Sequence, residues 1–246
     1  MKSLILAAGH GSRLRALAES KPLATVAGVP LIEHVVRGAA AAGSREFVVV
    51  TGHCADPLEA FLSGLQQRAG VHIETVRIAD WDLPNGHSVV AGAERIDGEY
   101  LLLMADHLFD PAILRRLTAM GDVDGVCLAV DRNRANPLTD IDDATKVAVG
   151  PDGAILSIGK TLADYDAIDT GLFRAGPALA RAVREAFAEG RPGSLSDGVQ
   201  RLADQGKAVT MDVGEAWWID VDDPRAHALA EAQLGRRPAE LRDDAA

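Results

Sequence analysis

The apolar positions of this chain fall into short runs separated by stretches of helical rhythm. Ser3-Leu4-Ile5-Leu6-Ala7-Ala8 is the first such run, and others near Glu46 to Thr51, Val71 to Ile78 and Tyr100 to Met104 read as strands. Between them, Pro30 suits the first turn of a helix reaching about Ala42, where Gly43 would end it. Pro57 or its neighbours open another helix toward Arg68. Apolar strands alternating with amphipathic helices predict an α/β fold with parallel strands and helical crossovers. Beyond them come shorter candidates: Val123 to Val130, Thr145 to Val149, Ile155 to Ile158 and Ala167 to Phe173, then two helices and Ala208 to Val213. This second half reads as a mixed-sheet elaboration.

The first strand breaks into Gly9-His10-Gly11-Ser12-Arg13, with Lys21-Pro22-Leu23 close behind. Glycines let backbone amides turn against an anion, and Arg13 and Lys21 add fixed positive charge, so the loop suits phosphate and a nucleotide is the natural ligand. A structural strand-to-helix turn would use the same glycines. The string lacks the Gly-Lys-Ser/Thr of a P-loop, and its second glycine comes too soon for a dinucleotide fingerprint.

In open α/β sheets ligands sit beyond the carboxyl ends of the strands, which sets Ala105-Asp106-His107, after Met104, beside this loop. A lone carboxylate at a strand end meets the demand of Mg2+ for one or two protein oxygens plus water and phosphate; the alternative is that Asp106 caps the next helix. In Trp217-Trp218-Ile219-Asp220-Val221-Asp222-Asp223-Pro224, alternation puts Asp220 and Asp222 on one strand face and frees Asp223 to cap a helix at Pro224. Trp81 to Val90 reads as a loop entering a helix. Its Asn85 and Ser88 offer hydrogen bonds apt for a pyrimidine edge, although Asn85 fits a plain helix N-cap as well.

Leu-Ala-Ala-Gly-x-Gly-Ser-Arg-Leu, then Lys-Pro-Leu and Gly28-Val29-Pro30-Leu31-Ile32, resembles the nucleotidyltransferases that join a nucleoside triphosphate to a phosphorylated sugar or alcohol. Thr145-Lys146-Val147, Ile158-Gly159-Lys160 and Tyr165 to Phe173 narrow the resemblance to the CTP:inositol-1-phosphate cytidylyltransferases, over nearly the whole chain. It implies a Rossmann-like (GT-A-like) fold, a central mixed, mostly parallel sheet flanked by helices. It implies that Leu6, Ala7, Ala8, Gly9, Gly11, Ser12, Asn85, Gly86, Ser88 and Ala105 hold the nucleotide, and that Arg13 and Lys21 act on the phosphates. Asp220 would join Asp106 on Mg2+, with Asp222 in reserve, and Lys146, Lys160, Asp169 and Thr170 would face the acceptor. Lys146 and Lys160 read on their own terms as solvated strand-edge residues.

The implied partners are CTP and a small phosphomonoester. Phosphocholine, 2-aminoethylphosphonate and hexose-1-phosphates stay open as acceptors, UTP as donor, a homodimer as the assembly, and a noncatalytic nucleotide binder as the other class. Some relatives continue into a membrane-embedded phosphotransferase. No run here approaches the ~20 apolar residues of a membrane span, so the product would pass to a separate enzyme.

The 246 residues, 48% hydrophobic and with no evident linker or repeat, predict one domain over 1–235 with a nucleotide half to about 130, an acceptor half beyond it and a frayed tail at 236–246. A net charge of −11 argues against nucleic-acid partners. Cys54 and Cys127 have no metal-ligand spacing and read as buried free thiols, which points to a reducing, cytoplasmic setting. The histidines show no common spacing, though His10 is placed to touch a phosphate, and an acceptor phosphate already ionised needs no histidine base. Arg132 to Asp143 is a candidate lid.

Overall fold

The computed structural model describes residues 1–14 and 18–235; the expected tail lies outside them. Strands and helices follow in the order β1 (Lys2–Ala7), β2 (Thr25–Val26), β3 (Val29–Pro30), α1 (Leu31–Ala41), β4 (Glu46–Thr51), α2 (Ala55–Ala69), β5 (His72–Arg77), α3 (Gly86–Ala93), β6 (Tyr100–Met104), β7 (His107–Phe109) and α4 (Pro111–Ala119). Then come β8 (Val126–Asp131), β9 (Lys146–Val149), β10 (Ile155–Gly159), β11 (Ala167–Ala175), α5 (Pro177–Ala188), α6 (Leu195–Asp204), β12 (Ala208–Asp212), β13 (Trp218–Asp220) and α7 (Pro224–Gly235).

β5, β4, β1 and β6 run parallel in that order, and β11 lies antiparallel to β6. β11 is also antiparallel to β8 and β9, and β12 is parallel to β8; of the nine strands, only β11 and β10 run against the rest. This is the mixed, mostly parallel sheet that the resemblance implies. Its central strands are buried on both faces, so they read as unbroken apolar runs. Ile5, Val49 and Leu103 point to one face, where α1, α2 and α4 cover them. Leu4, Val50 and Leu102 point to the other, under α3, α5 and α6.

Three local expectations shift. Pro30 closes β3 just ahead of α1 instead of starting the helix. The strand expected from Val123 begins at Val126, because Gly125 turns with φ +143° where a side chain would strike the Lys207 carbonyl. The helix after β7 is capped by Asp110, whose carboxylate accepts from the Ala112 N–H at 2.8 Å, and that leaves Asp106 for other work.

β11 is longer than β6. Its last residues pair with β6 and its first, Ala167 and Ile168, with β9, so the sheet opens a crevice where β6 stops at Met104. The small ladder β7–β13 closes over that crevice and sets Asp220 directly opposite His107.

Candidate active site

Two clefts meet at the end of β6. The first holds Leu6, Ala7, Ala8, Gly9 and Gly11 of the loop after β1, with Asn85, Ser88 and Ala105 opposite, and Lys21 and Asp106 at its floor. The second is lined by Arg13, Lys160, Asp169, His107 and Asp220. Asn85, Met104 and Asp222 border both.

Gly11 explains how the loop and Lys21 come together. It has φ +57°, and a Cβ there would lie 2.3 Å from Lys21 Cβ, so only glycine admits the lysine. Lys21 is buried, and its ammonium donates to Asp106 (2.5 Å) and to Asp222. Burial alone would lower its pKa, but Asp106, Asp220 and Asp222 outweigh that and keep it charged. Arg13 donates to Asp222 and, at 2.7 Å, to Asp143, which also receives Lys160 at 2.7 Å. Lys160, then Arg13, hold the Asp143 carboxyl below its ordinary range.

The two candidate metal carboxylates share a centre with a third residue. Donor atoms of Asp106, His107 and Asp220 all lie within 4.8 Å of one another. His107 was not singled out from the sequence; the pairing of β7 with β13 brings it in. Its Nδ1 is 2.7 Å from the Thr170 carbonyl, and its Nε2 is 3.4 Å from Asp220 and 3.7 Å from Asp106. Burial would lower the imidazole pKa, yet Asp220 and Asp106 carry it up to about 10. Burial works against ionisation of Asp220 too, and His107 more than offsets it, bringing that carboxyl down to about 2. Asp169 goes the other way, pushed up to about 6 by burial.

A divalent cation fits these residues. Asp220 Oδ1 is buried with no hydrogen-bond partner, and two carboxylates beside an imidazole are a ligand set for such an ion. Asp222 is committed to Lys21 and Arg13 and lies outside this group.

Several candidate residues stand elsewhere. Ser12 is exposed and does not line the first cleft. Gly86 is a packing position, where a Cβ would meet the Gly193 carbonyl at 2.2 Å. Asn85 does not cap α3 with its side chain; its Oδ1 instead accepts from the N–H of Leu195, the first residue of α6, at 2.9 Å. Thr170 is buried, its hydroxyl donating to the Ala129 carbonyl at 2.7 Å. Lys146 donates to the Lys160 carbonyl at 3.0 Å and lies over the Tyr165 ring, off both clefts. His10 packs among rings, 4.4 Å from His53 and 5.7 Å from Trp81, which borders the first cleft. Cys127 is buried as expected, but Cys54 is half-exposed.

One residue the sequence reading passed over supports the site from behind. Asp131 is buried at the end of β8, takes the Trp218 indole N–H at 2.9 Å, and holds Asn136 at 2.7 Å and the Asn133 N–H at 2.8 Å. It fixes the root of the 132–143 loop to the strand that carries Asp220.

A glycine loop, a buried lysine and paired carboxylates at the carboxyl edge of such a sheet define a nucleotidyltransferase-type site. Residues 3–163 match the MobA-like NTP transferase domain, and the chain belongs to that family. It is 37% identical over 235 residues to the bifunctional IPC transferase and DIPP synthase of Rubrobacter xylanophilus, covering 94% of this chain and 51% of that protein. It is 33% identical to the CMP-5'-(3-aminopropyl)phosphonate synthase of Streptomyces rubellomurinus over 91% of this chain and 37% of that one. The chain thus spans about half the length, or less, of the curated relatives it matches. The inositol-1-phosphate CTP transferase of T. maritima superposes with a TM-score of 0.83 at 24% identity, over 96% of this chain and 98% of that structure, and so shares the fold. No helix among the described residues is long and apolar enough to cross a membrane.

Proposed function

We propose that the protein is a cytidylyltransferase that moves CMP from CTP to a phosphorylated alcohol, inositol-1-phosphate, giving CDP-inositol and pyrophosphate. The observation that supports it most is Lys21, locked under the glycine loop and shared by Asp106 and Asp222 where the two clefts meet. The IPC transferase and CMP-phosphonate synthase relatives and the Ile-Gly-Lys and Asp-Thr-Gly strings favour CTP and this acceptor.

In this reading the acceptor phosphate oxygen, already ionised, attacks the α-phosphorus in line and pyrophosphate leaves. Positioning and charge neutralisation do the work. Loop amides from Ala8 to Gly11 hold the triphosphate, Lys21 follows the charge onto the leaving pyrophosphate, and Lys160, with Arg13, takes the acceptor phosphate. A divalent cation held by Asp106 and Asp220 would neutralise phosphate charge when bound.

One observation favours a second acceptor. Asp140, Asp169 and Asp223 border the second cleft, where Arg13 and Lys160 are already paired with Asp143, a setting that also suits an amine-bearing phosphonate. Pyrophosphate release tests both readings, with CTP, UTP, ATP and GTP each paired with inositol-1-phosphate, phosphocholine, 2-aminoethylphosphonate and glucose-1-phosphate. CTP with inositol-1-phosphate is the expected responding pair. Response to the phosphonate alone would replace the acceptor, and silence in every well would leave a nucleotide binder.

A further inference from the structure

We propose that the site binds its cation through three side chains, Asp106, His107 and Asp220, and that the imidazole makes the preferred ion one of the Mn2+ class rather than Mg2+. For the cation's use this rests on the nucleotidyl-transfer reading; for its binding it stands on the ligands alone.

Carboxylates by themselves suit Mg2+, whereas an imidazole in the set shifts preference toward transition ions. The geometry gives His107 the form of a ligand. The Thr170 carbonyl can only accept, so Nδ1 carries the hydrogen that meets it at 2.7 Å, and Nε2 faces the two carboxylates. A ligating histidine typically has its second nitrogen tied to a backbone carbonyl in this way. The separations from Nε2, 3.4 and 3.7 Å, approach the roughly 3 Å between adjacent ligands on one small divalent ion. Asp106 presents Oδ1 to His107 while Lys21 occupies Oδ2, and Asp220 turns Oδ2 to His107 while its buried Oδ1 has no hydrogen-bond partner.

The fold also commits two further residues to this imidazole. Trp218 stacks along it, with ring centroids 6.2 Å apart and planes 27° from parallel. Gly171 stands in the left-handed region at φ +73°, where a Cβ would lie 2.3 Å from His107 Nδ1. Attack by an ionised phosphate needs no base, so proton transfer does not account for a ring held this firmly.

The test is pulsed electron paramagnetic resonance of Mn2+ added to the whole protein without nucleotide. The expected result is nitrogen coupling to the bound ion that takes the 15N pattern when histidine is 15N-labelled, with Mn2+ held about tenfold or more tighter than Mg2+ in competition. The wild-type isotope experiment needs no variant, so it stands whether or not a substituted protein folds. In His107→Gln the nitrogen coupling should vanish and the preference for Mn2+ collapse. Bound Mn2+ with water couplings alone, nitrogen coupling that survives in His107→Gln, or no Mn2+ binding would each overturn the proposal. Such a failure leaves nucleotidyl transfer standing, and silence in the pyrophosphate assay leaves the nitrogen coupling standing.

Discussion

Lys21 owes its position to Gly11. Removing the ammonium leaves Asp106 and Asp222 without the cation that divides them and takes fixed charge from the phosphates, so Lys21→Ala is expected to lower turnover by roughly 100-fold or more with the fold intact. Gly11→Ala should imitate it without touching the lysine, because the added methyl needs the space of Lys21 Cβ and the backbone resists φ +57°. Pyrophosphate release beside a circular dichroism spectrum checks both, and wild-type turnover in Gly11→Ala would break the link. At this scale the sequence was informative where chemistry and strand ends coincide: the glycine loop, Lys21, Asp106 and Asp220 all sit at an apolar run's edge. It set His107 aside with the other histidines and passed over Asp131, because their significance comes from the β7–β13 pairing and from the Trp218 indole, which local spacing does not encode. The packing of Thr170 and Gly86 was not legible, because the Thr170 hydroxyl bonds to a neighbouring strand and the space at Gly86 is filled by the Gly193 carbonyl.

The central strands announce themselves because burial on both faces leaves only apolar residues; β9 and β10, only partly buried, still fall within one residue of the expected runs. At the far end of β6 and β11 from the site, Arg174 is buried and donates to Glu99 at 2.6 Å and to the Met120 carbonyl at 2.6 Å, tying β11 to the segment after α4. Burial would raise the Glu99 pKa, but the bonds from Arg174 and the Val123 N–H outweigh it and the carboxyl titrates below its usual range. A depressed acid contributes stability that is present above its unfolded pKa and lost as pH falls through the folded one. Glu99→Gln should therefore cost on the order of 2 kcal/mol at neutral pH, with the gap from wild type closing in acid as the carboxylate is protonated in both states. Urea unfolding at pH 7 and below pH 4 reads this out, and a gap independent of pH would refute the ion-pair account. The Cys127 thiol, pushed up to about 12 by burial, should resist a thiol reagent at pH 8 in the native protein, while half-exposed Cys54 reacts; mass spectrometry of the labelled peptides decides.

Across the whole molecule, Asp143 joins Arg13 of the first loop to Lys160 beyond β10, spanning the second cleft. These pairs are largely exposed, so their worth to global stability is small. Asp143→Asn is expected to leave thermal stability nearly unchanged yet speed tryptic cleavage at Arg132 and Arg134, since one end of that loop loses its tether while Asp131 still holds the other. Unchanged cleavage would show that Asp143 does not restrain it. A wider clasp lies beneath: Lys21 meets Asp222 201 positions away, the Ala27 N–H meets Glu231 204 positions away at 2.9 Å, and His227 meets the Thr25 carbonyl at 2.7 Å. Synthesis runs from the amino end, so the glycine loop, Lys21 and Asp106 leave the ribosome while Asp220 and Asp222 are still unmade. Contacts between such distant segments are slow to close. The charge cluster around Lys21 is thus expected to close late, and on refolding the Lys21–Asp222 contact should trail the return of the sheet.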